Sequence, residues 1–257
     1  MTDLNMIAAR LRAAEAAGES IAPVREGIAT AEAAYAVQEI NTVARLAAGG
    51  RLVGRKIGLT NPAVQRQLGV DQPDYGMLFA DMDVPHGGEI AWNPGAQHKV
   101  EAELAFVLGR PLPHPDCSMA EVIRAVDYVV PSFEIVGSRI ADWDIRFVDT
   151  VADNASSALF TLGPCARRLA GADLLDCRME MRRDGELVSE GSGRACLGSP
   201  LNAVLWLARR MAALGRPLGE GDLVLSGALG PMVAATPGAR FTATIDGFGE
   251  TAVSFGA

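Results

Sequence analysis

Cysteine, histidine and aromatic residues are scarce in this chain. Its 257 residues include four Cys and three His, and only 5% are aromatic. The cysteines form no CxxC pair and no spacing typical of a zinc site; they are Cys117, Cys165, Cys177 and Cys196. Isolated cysteines in a chain of this length are typical of buried thiols in a reducing compartment, so we expect a cytoplasmic protein.

Long apolar runs and basic clusters are also missing. No segment approaches the roughly 18 consecutive apolar residues of a membrane span, and the first 20 residues lack the pattern of a secretory signal. The formal net charge is −8, and no basic run is longer than a pair. Binding to nucleic acid requires clustered Lys and Arg. We therefore expect neither a nucleic acid nor a membrane as a partner.

Helical periodicity predicts two helices before residue 50. The first is capped by Thr2 or Asp3 and ends at Gly18, and the second runs from Thr30 to Gly49-Gly50. After residue 50 the texture changes, because short runs of Val, Ile and Leu are interrupted by Gly, Pro and Asp. This pattern is typical of strands joined by loops.

The predicted strands are Leu52–Leu59, Val100–Leu108, Tyr128–Ile135, Ala158–Leu162, Leu174–Arg183, Leu223–Leu225 and Phe241–Ile245. Two further helices are predicted, at Met119–Ala125 and from Pro200, capped by Ser199, to about Leu214. The order of elements favours a β-roll or sandwich over alternating βα units. We predict an α+β fold with an N-terminal helical segment, 1–50, and one larger domain, 51–257.

Two glutamates share one face of the strand around residue 103. Period-two alternation places Val100, Ala102, Leu104, Phe106 and Leu108 on the core face, with Glu101 and Glu103 on the other face, roughly 7 Å apart along the strand. Like charges this close are unfavourable unless solvent or a cation lies between them. A solvated strand face and a cation site both remain consistent with this segment.

Glu134 lies in an otherwise apolar run, residues 128–136. An ionised carboxylate is costly to bury unless it pairs with a cation or binds a metal. Arg139 is the nearest basic residue along the sequence and offers the ion-pair alternative. Three carboxylates without a Cys or His set favour Mg²⁺ or Mn²⁺, whereas His98 would favour a softer metal if it were a ligand and not a residue at the strand end.

Lys56 lies between two glycines on the same strand face, Gly54 and Gly58. The open space beside its stem suits the close approach of a ligand or a second backbone. A desolvated lysine can act as an acid/base group or hold a carboxylate; the alternative is a simple ion pair with a nearby glutamate. Downstream, Asn61-Pro62 is typical of a helix start, and residues 69–76 are predicted to form an irregular loop of the kind that often carries site residues.

Four segments together resemble a known family. They are GRKIGLTNPAVQRQLGVDQPDYGMLFADM (54–82), KVEAELAFVLGRPL (99–112), PSFEIVGSRIADWDI (131–145) and DTVADNASSALFTLG (149–163). In this order they closely resemble the 2-hydroxypenta-2,4-dienoate (2-keto-4-pentenoate) hydratases. Those enzymes belong to the hydratase/decarboxylase branch of the fumarylacetoacetate hydrolase superfamily.

The resemblance implies a fumarylacetoacetate hydrolase-like β-roll core and an Mg²⁺ or Mn²⁺ site. The glutamates of the family map onto Glu101, Glu103 and Glu134, and its essential lysine maps onto Lys56. The resemblance also implies a homo-oligomer that acts in the meta-cleavage breakdown of aromatic compounds. In that setting the protein is expected to associate with a downstream aldolase or a sister decarboxylase.

The same resemblance implies a substrate pocket lined by the loop around Asp74 and Leu78 and by Ser156. Asp74 is a candidate proton shuttle, and the Ser156 hydroxyl either holds the substrate carboxylate or is an ordinary capping group. The segment Ser226–Gly230 either presents backbone N–H groups to the ligand or is a plain turn.

The expected reaction is the addition of water to 2-hydroxypenta-2,4-dienoate, which yields 4-hydroxy-2-oxopentanoate. The substrate would chelate the metal through its carboxylate and its 2-oxygen. Two alternatives stay open: a metal-dependent 4-oxalocrotonate decarboxylase of the same branch, and a non-catalytic subunit that stabilises a partner enzyme.

Overall fold

The computed structural model describes residues 3–61, 65 and 70–257. Two α-helices lie at the N-terminal end of the chain. Helix α1 spans Leu4–Ala17 and helix α2 spans Ala31–Ala47. The Asp3 side chain accepts the N–H of Asn5 at 2.9 Å and caps α1. Both helices match their predicted positions, whereas the helix expected to start at Asn61-Pro62 lies outside the described residues.

Three further helices lie in the described part of the chain. They are α3 (Met119–Ala125), α4 (Phe147–Ala152) and α5 (Pro200–Ala213). The Ser199 hydroxyl accepts the N–H of Leu201 at the start of α5, as its position before Pro200 predicts. Helices α3 and α5 were predicted, but the six-residue α4 was not.

The strands form two sheets. They are β1 (Leu52–Gly58), β2 (Asp74–Phe79), β3 (Glu89–Ile90), β4 (Lys99–Leu108), β5 (Val126–Val136), β6 (Ser157–Leu162), β7 (Arg178–Arg183), β8 (Glu186–Ser192), β9 (Leu223–Leu225), β10 (Val233–Ala234), β11 (Arg240–Ile245) and β12 (Gly249–Phe255). One sheet has the order β2-β1-β9-β4-β5-β6, with β10 paired to β4, and the other has the order β3-β12-β11-β7-β8. Helices and sheets of this kind confirm the α+β fold class.

Strand β2 corrects the prediction of an irregular loop up to residue 76. All six of its residues are buried, and it pairs antiparallel with β1, with Gly58 opposite Asp74. Gly, Pro and Asp disfavour a strand locally, but pairing with a neighbour and burial override that propensity. The predicted strand Leu174–Arg183 is also shorter, because β7 begins only at Arg178.

The long antiparallel pair β4–β5 lies in the middle of the larger sheet. On β4 the predicted core face is buried throughout, with at most 1% exposure from Val100 to Leu108 at alternate positions. Its register with β5 places Glu101 opposite Glu134, and Glu103 opposite Ser132. The pairing therefore brings together carboxylates that are more than 30 positions apart in the sequence.

The N-terminal helices pack on the side of the molecule that carries β2 and α4. Apolar residues of α1 and α2, among them Leu11 and Val37, share a cluster with Ile140 and Val151. In addition, the buried Gln38 side chain donates to the backbone oxygens of Tyr75 at 2.9 Å and of Val151 at 3.0 Å. The helical segment thereby holds two elements that border the candidate site.

Candidate metal centre and active site

Three glutamates from β4 and β5 converge on one point. Carboxylate oxygens of Glu101, Glu103 and Glu134 all lie within 4.8 Å of one another. Glu103 and Glu134 are completely buried, and Glu101 is partly buried. A solvated strand face, one of the two interpretations left open by the sequence, does not describe this environment.

Several carboxylate oxygens of this cluster have no hydrogen-bond donor. Within the described residues, none reaches Oε1 of Glu103 or Oε2 of Glu134, whereas Oε2 of Glu103 accepts the N–H of Gly227 at 2.8 Å. Buried anionic oxygens are costly unless they are paired or bind a metal. An all-oxygen donor set fits a hard divalent cation such as Mg²⁺ or Mn²⁺.

The protonation of the cluster reflects its crowding. Burial, followed by the charge of Glu134, raises the pKa of Glu101 to about 7 and the pKa of Glu103 well above its ordinary value. Without a cation, burial and mutual repulsion therefore favour the protonated forms of these carboxyl groups. A divalent ion would favour their ionised forms.

Lys56 lies against this cluster. Its ammonium Nζ is 3.0 Å from Oε1 of Glu134, and the lysine side chain is only 4% exposed. Burial alone would lower the pKa of Lys56, but the surrounding charges of Glu134, Asp74 and Glu101 raise it above its ordinary value. Lys56 is therefore a fixed positive charge. The sequence suggested Arg139 as the partner of Glu134, which is wrong because Arg139 binds Asp153 instead.

Asp74 occupies the next position beside Lys56. It is 2% exposed, and a Cβ at Gly58 would lie 2.2 Å from its Oδ1 and 3.4 Å from Lys56 Nζ. Glycine at position 58 thus leaves the space that the two charged groups share. Burial raises the pKa of Asp74 to about 6, although the Lys56 charge opposes that shift. Asp74 can consequently exchange a proton at a pH close to neutral.

A cavity of about 570 Å³ opens over these groups. Lys56, Asp74 and Glu101 line one part of it, and Thr150, Ala155 and Ser156 line another. Apolar side chains form much of the remainder, including Leu59, Val136, Trp143, Ile145 and Met232. A second depression of about 670 Å³, between Met119 and Leu201, contains none of the candidate residues. We therefore assign the site to the first cavity.

Two of the predicted substrate-binding residues do not line this cavity. Leu78 is fully buried in the hydrophobic core. Ser226 is also fully buried, and its backbone oxygen accepts the thiol of Cys196. The N–H groups of Gly227 and Leu229 donate to Glu103 and to the Ala102 backbone oxygen, so these two groups support the protein and not a ligand.

Ser156 does line the cavity, at the end of a short turn. Its hydroxyl lies 3.1 Å from that of Thr150 in α4. His98 is not part of the carboxylate cluster. It directly precedes β4, and its ring lies 5.8 Å from the ring of Phe255. The interpretation of His98 as a residue at the strand end therefore fits better than that of a metal ligand.

Sequence reasoning missed several residues of the cavity wall. Lys99 stacks over the Trp143 ring at 4.0 Å, and both residues line the cavity. The indole N–H of Trp143 donates to the Gln97 backbone oxygen at 3.0 Å. Lys99 shares a strand face with Glu101 and Glu103, so the alternation of β4 was the signal that indicated it. Nothing in the local sequence pattern indicated Trp143.

Comparison with known proteins places these features in context. A family model, fumarylacetoacetate (FAA) hydrolase C-terminal, matches residues 47–255. The 2-keto-4-pentenoate hydratase 1 of Dechloromonas aromatica (strain RCB) is 61% identical over 250 residues, which are 96% of this chain and 95% of that protein. The 2-keto-4-pentenoate hydratase of Burkholderia vietnamiensis (strain G4) is 54% identical over 260 residues, 99% of each chain.

Among solved structures, the 4-oxalocrotonate decarboxylase of Pseudomonas putida G7, complexed with magnesium and adipate, has a closely similar fold. It superposes with a TM-score of 0.93 and 33% sequence identity, and the match covers 99% of each chain. The backbone arrangement of this chain is therefore shared across nearly its full length.

Proposed function

Since the chain belongs to the fumarylacetoacetate hydrolase family and its sequence groups with the 2-keto-4-pentenoate hydratases, we propose that it hydrates 2-hydroxypenta-2,4-dienoate to 4-hydroxy-2-oxopentanoate. The main structural support for this reaction is the cluster of Glu101, Glu103 and Glu134, which lies beside Lys56 and Asp74 at one cavity. The relatives named as hydratases at 54–61% identity support this choice of reaction.

The metal of this reaction is proposed to be Mg²⁺ or Mn²⁺, held by Glu101, Glu103 and Glu134. The donor-free oxygens of Glu103 and Glu134 support this assignment, and the related decarboxylase contains magnesium. When bound, the ion would supply Lewis-acid stabilisation of negative charge on the 2-oxygen of the substrate.

Lys56 and Asp74 are proposed to stabilise charge and to transfer the proton, respectively. Lys56 stays protonated and stabilises the enolate charge as it develops. Asp74 changes its protonation state near pH 6 and moves the proton between the substrate hydroxyl and C5. The absence of a Cβ at Gly58 leaves room for both groups beside this position.

Substrate orientation is assigned to the opposite wall. Ser156 and Thr150 place two hydroxyl groups 3.1 Å apart in the cavity lining. One of them can donate to the substrate carboxylate while it accepts from the other. The apolar side chains of Leu59, Val136 and Ile145 then suit the carbon chain of the substrate.

The reaction balances with water as the only co-substrate and needs no oxidant. The dienol loses its hydroxyl proton and gains a proton at C5, which converts it into an α,β-unsaturated 2-oxo acid. Water then adds across the C3–C4 double bond, with oxygen at C4 and hydrogen at C3. The product is 4-hydroxy-2-oxopentanoate.

The direct test is turnover of freshly generated 2-hydroxypenta-2,4-dienoate by the purified protein with Mg²⁺ or Mn²⁺. Loss of the dienol absorbance with formation of 4-hydroxy-2-oxopentanoate supports the proposal. Full activity in the presence of excess EDTA, or loss of dienol without the hydrated product, contradicts it.

One specific observation favours a second candidate, 4-oxalocrotonate decarboxylase, because the similar solved structure carries that activity. It would use the same chelation, but the enolate would arise by loss of CO₂. Release of CO₂ from oxalocrotonate without hydration of the dienoate would favour it. The remaining alternative is a non-catalytic subunit, which would turn over neither substrate. That role gives no reason for a buried cluster of three carboxylates.

The assembly and the cellular location are also part of the proposal. We propose a cytoplasmic homo-oligomer that associates with a downstream aldolase or a sister decarboxylase. Free and mostly buried cysteines support a reducing compartment, and the exposed apolar side chains Met6, Val43 and Leu46 support an interface. Light scattering of the purified protein, alone and mixed with the aldolase, tests both associations.

Among the described residues, no helix is both long enough and apolar enough to cross a membrane.

A further inference from the structure

Three consecutive residues beside the cavity adopt a left-handed backbone conformation. Asn154, Ala155 and Ser156 have φ angles of 53°, 52° and 55°. Residues other than glycine rarely adopt this region, and almost never in succession. Such conformations persist only where surrounding contacts impose them, and they are concentrated at functional sites. Here, Ala155 and Ser156 line the cavity.

The side chain of Asn154 connects this turn to β2. Its Oδ1 accepts the N–H of Met77 at 2.7 Å, and its Nδ2 donates to the backbone oxygen of the same residue at 3.0 Å. The carboxamide thus satisfies both backbone groups of one residue on the strand that carries Asp74. A Cβ at Gly76 would lie 2.3 Å from the Asn154 backbone oxygen, so the turn and the strand are in direct contact.

The residues on either side of Asn154 are anchored elsewhere. Asp153 accepts the backbone N–H of Arg139 at 2.9 Å and also binds its guanidinium. Ser156 contacts Thr150 in α4. Asn154 is therefore the link between the turn and β2, whereas its neighbours fix the turn to other elements.

We propose that Asn154 is a positioning residue, whose carboxamide sets the distance between the Asp74 wall and the Ser156 wall of the cavity. The inference rests on the proposed function for the identity of the substrate. It goes beyond that function because Asn154 need not touch the substrate or the metal. Loss of the link lets the two walls separate and misaligns the substrate between the proton-transfer group and the hydroxyl groups.

Asn154→Asp is the principal variant, because it keeps the shape and the acceptor of Asn154 but replaces the donor Nδ2. Its second carboxylate oxygen would face the Met77 carbonyl. Asn154→Gly is the companion variant; it removes both hydrogen bonds but adopts the left-handed conformation more easily.

Asn93→Asp is a matched control. Asn93 also donates through Nδ2 to a backbone oxygen, that of Gly18 at 2.9 Å, and accepts a backbone N–H, that of Gly95 at 2.9 Å. It does not line the cavity.

For both Asn154 variants we expect kcat/KM on the dienoate to fall by about 100-fold, as misplacement by about 1 Å can cause. Pyruvate binding to the Mg²⁺-loaded protein should weaken by about tenfold, because displacement of the Ser156 wall costs about one well-placed hydrogen bond to the ligand. Mg²⁺ affinity without pyruvate should stay unchanged. Amide exchange at Met77 should accelerate in Asn154→Gly, which lacks the acceptor of the Met77 N–H, and the control should stay within about twofold of the wild type throughout.

The proposal is overturned if Met77 exchange accelerates in a folded Asn154 variant while kcat/KM and pyruvate affinity stay at wild-type values. It is also overturned if Asn93→Asp reduces both quantities equally, because the effect would then be one of general stability. A wild-type protein that binds pyruvate without hydrating the dienoate would contradict the proposed function instead. The positioning role is then decided by the pyruvate affinities alone.

Discussion

The ammonium of Lys56 lies 3.0 Å from a carboxylate oxygen of Glu134, and both side chains are buried. Glu134 also belongs to the cluster with Glu101 and Glu103. One carboxylate therefore joins the proposed metal centre to the lysine that is proposed to stabilise the enolate charge. Single and double substitutions of Lys56 and Glu134 should therefore affect the stability and the activity of the protein differently.

Replacing Lys56 by Met leaves Glu134 buried without its cation. We expect the free energy of unfolding, measured with urea in EDTA, to fall by about 3 kcal/mol. The double variant Lys56→Met/Glu134→Gln should recover most of that loss, because the unpaired charge of Glu134 is then removed, but it should have no activity.

The control for this pair is Arg168→Met, which removes a surface contact with Asp127 at 3.4 Å. Exposed ion pairs contribute little, so its unfolding free energy should change by less than about 1 kcal/mol. A Lys56→Met protein as stable as the wild type would mean that the Lys56–Glu134 ion pair contributes nothing to stability.

Glu103→Gln should have opposite effects on metal binding and on metal-free stability. Mg²⁺ affinity, measured by calorimetry, should fall by at least about 100-fold. In EDTA the variant should melt at the same temperature as the wild type or higher, because a buried, crowded carboxyl group whose ionised form is disfavoured is replaced by a neutral amide. The control is Glu180→Gln, at a half-buried position of β7 where Glu180 pairs with Arg178 and Arg182. A wild-type Mg²⁺ affinity for Glu103→Gln would refute the ligand assignment.

Metal binding should release protons near neutral pH. Burial and Glu134 hold the pKa of Glu101 at about 7 and raise the pKa of Glu103 well above its ordinary value, which favours the protonated forms when the cation is absent. Metal ligands must be deprotonated. The apparent affinity should therefore fall as the pH drops below 7. Calorimetry in buffers of different ionisation enthalpy measures the released protons directly. An Mg²⁺ affinity that does not change between pH 5 and pH 8 would contradict the expectation.

The activity should have an acidic limb that depends on Asp74. Its pKa of about 6 leaves it ionised at pH 7 and protonated below pH 6. A base of this kind loses tenfold in rate for each pH unit below its pKa, so kcat/KM should decline with falling pH from about 6. Asp74→Asn should lower kcat by about 100-fold to 10,000-fold and remove this limb.

An acidic limb that persists unchanged in Asp74→Asn would assign it to another group, with metal loss as the first alternative. Measurement at saturating Mg²⁺ separates these two cases, because only the limb caused by metal loss moves when the concentration of the ion is raised.

The sequence by itself determined which face of β4 carries each side chain. Alternation in the run from Val100 to Leu108 requires that Glu101 and Glu103 share a face, since successive strand residues point in opposite directions. The same local logic placed one helix cap at Ser199 and limited the other to Thr2 or Asp3, of which the structure has Asp3, because caps depend on neighbouring residues only. The resemblance of four segments to one family then identified the fold and the reaction class.

Tertiary structure alone decided how these pieces meet. The register of β4 on β5 places Glu134 opposite Glu101, and pairing with β1 turns the stretch that begins at Asp74 into a buried strand. The link from Asn154 to Met77 spans 77 positions. Such contacts depend on strand pairing and packing between distant segments, which no local pattern specifies. For this reason the sequence indicated the carboxylates, but only the fold showed that Lys56, and not Arg139, is the partner of Glu134.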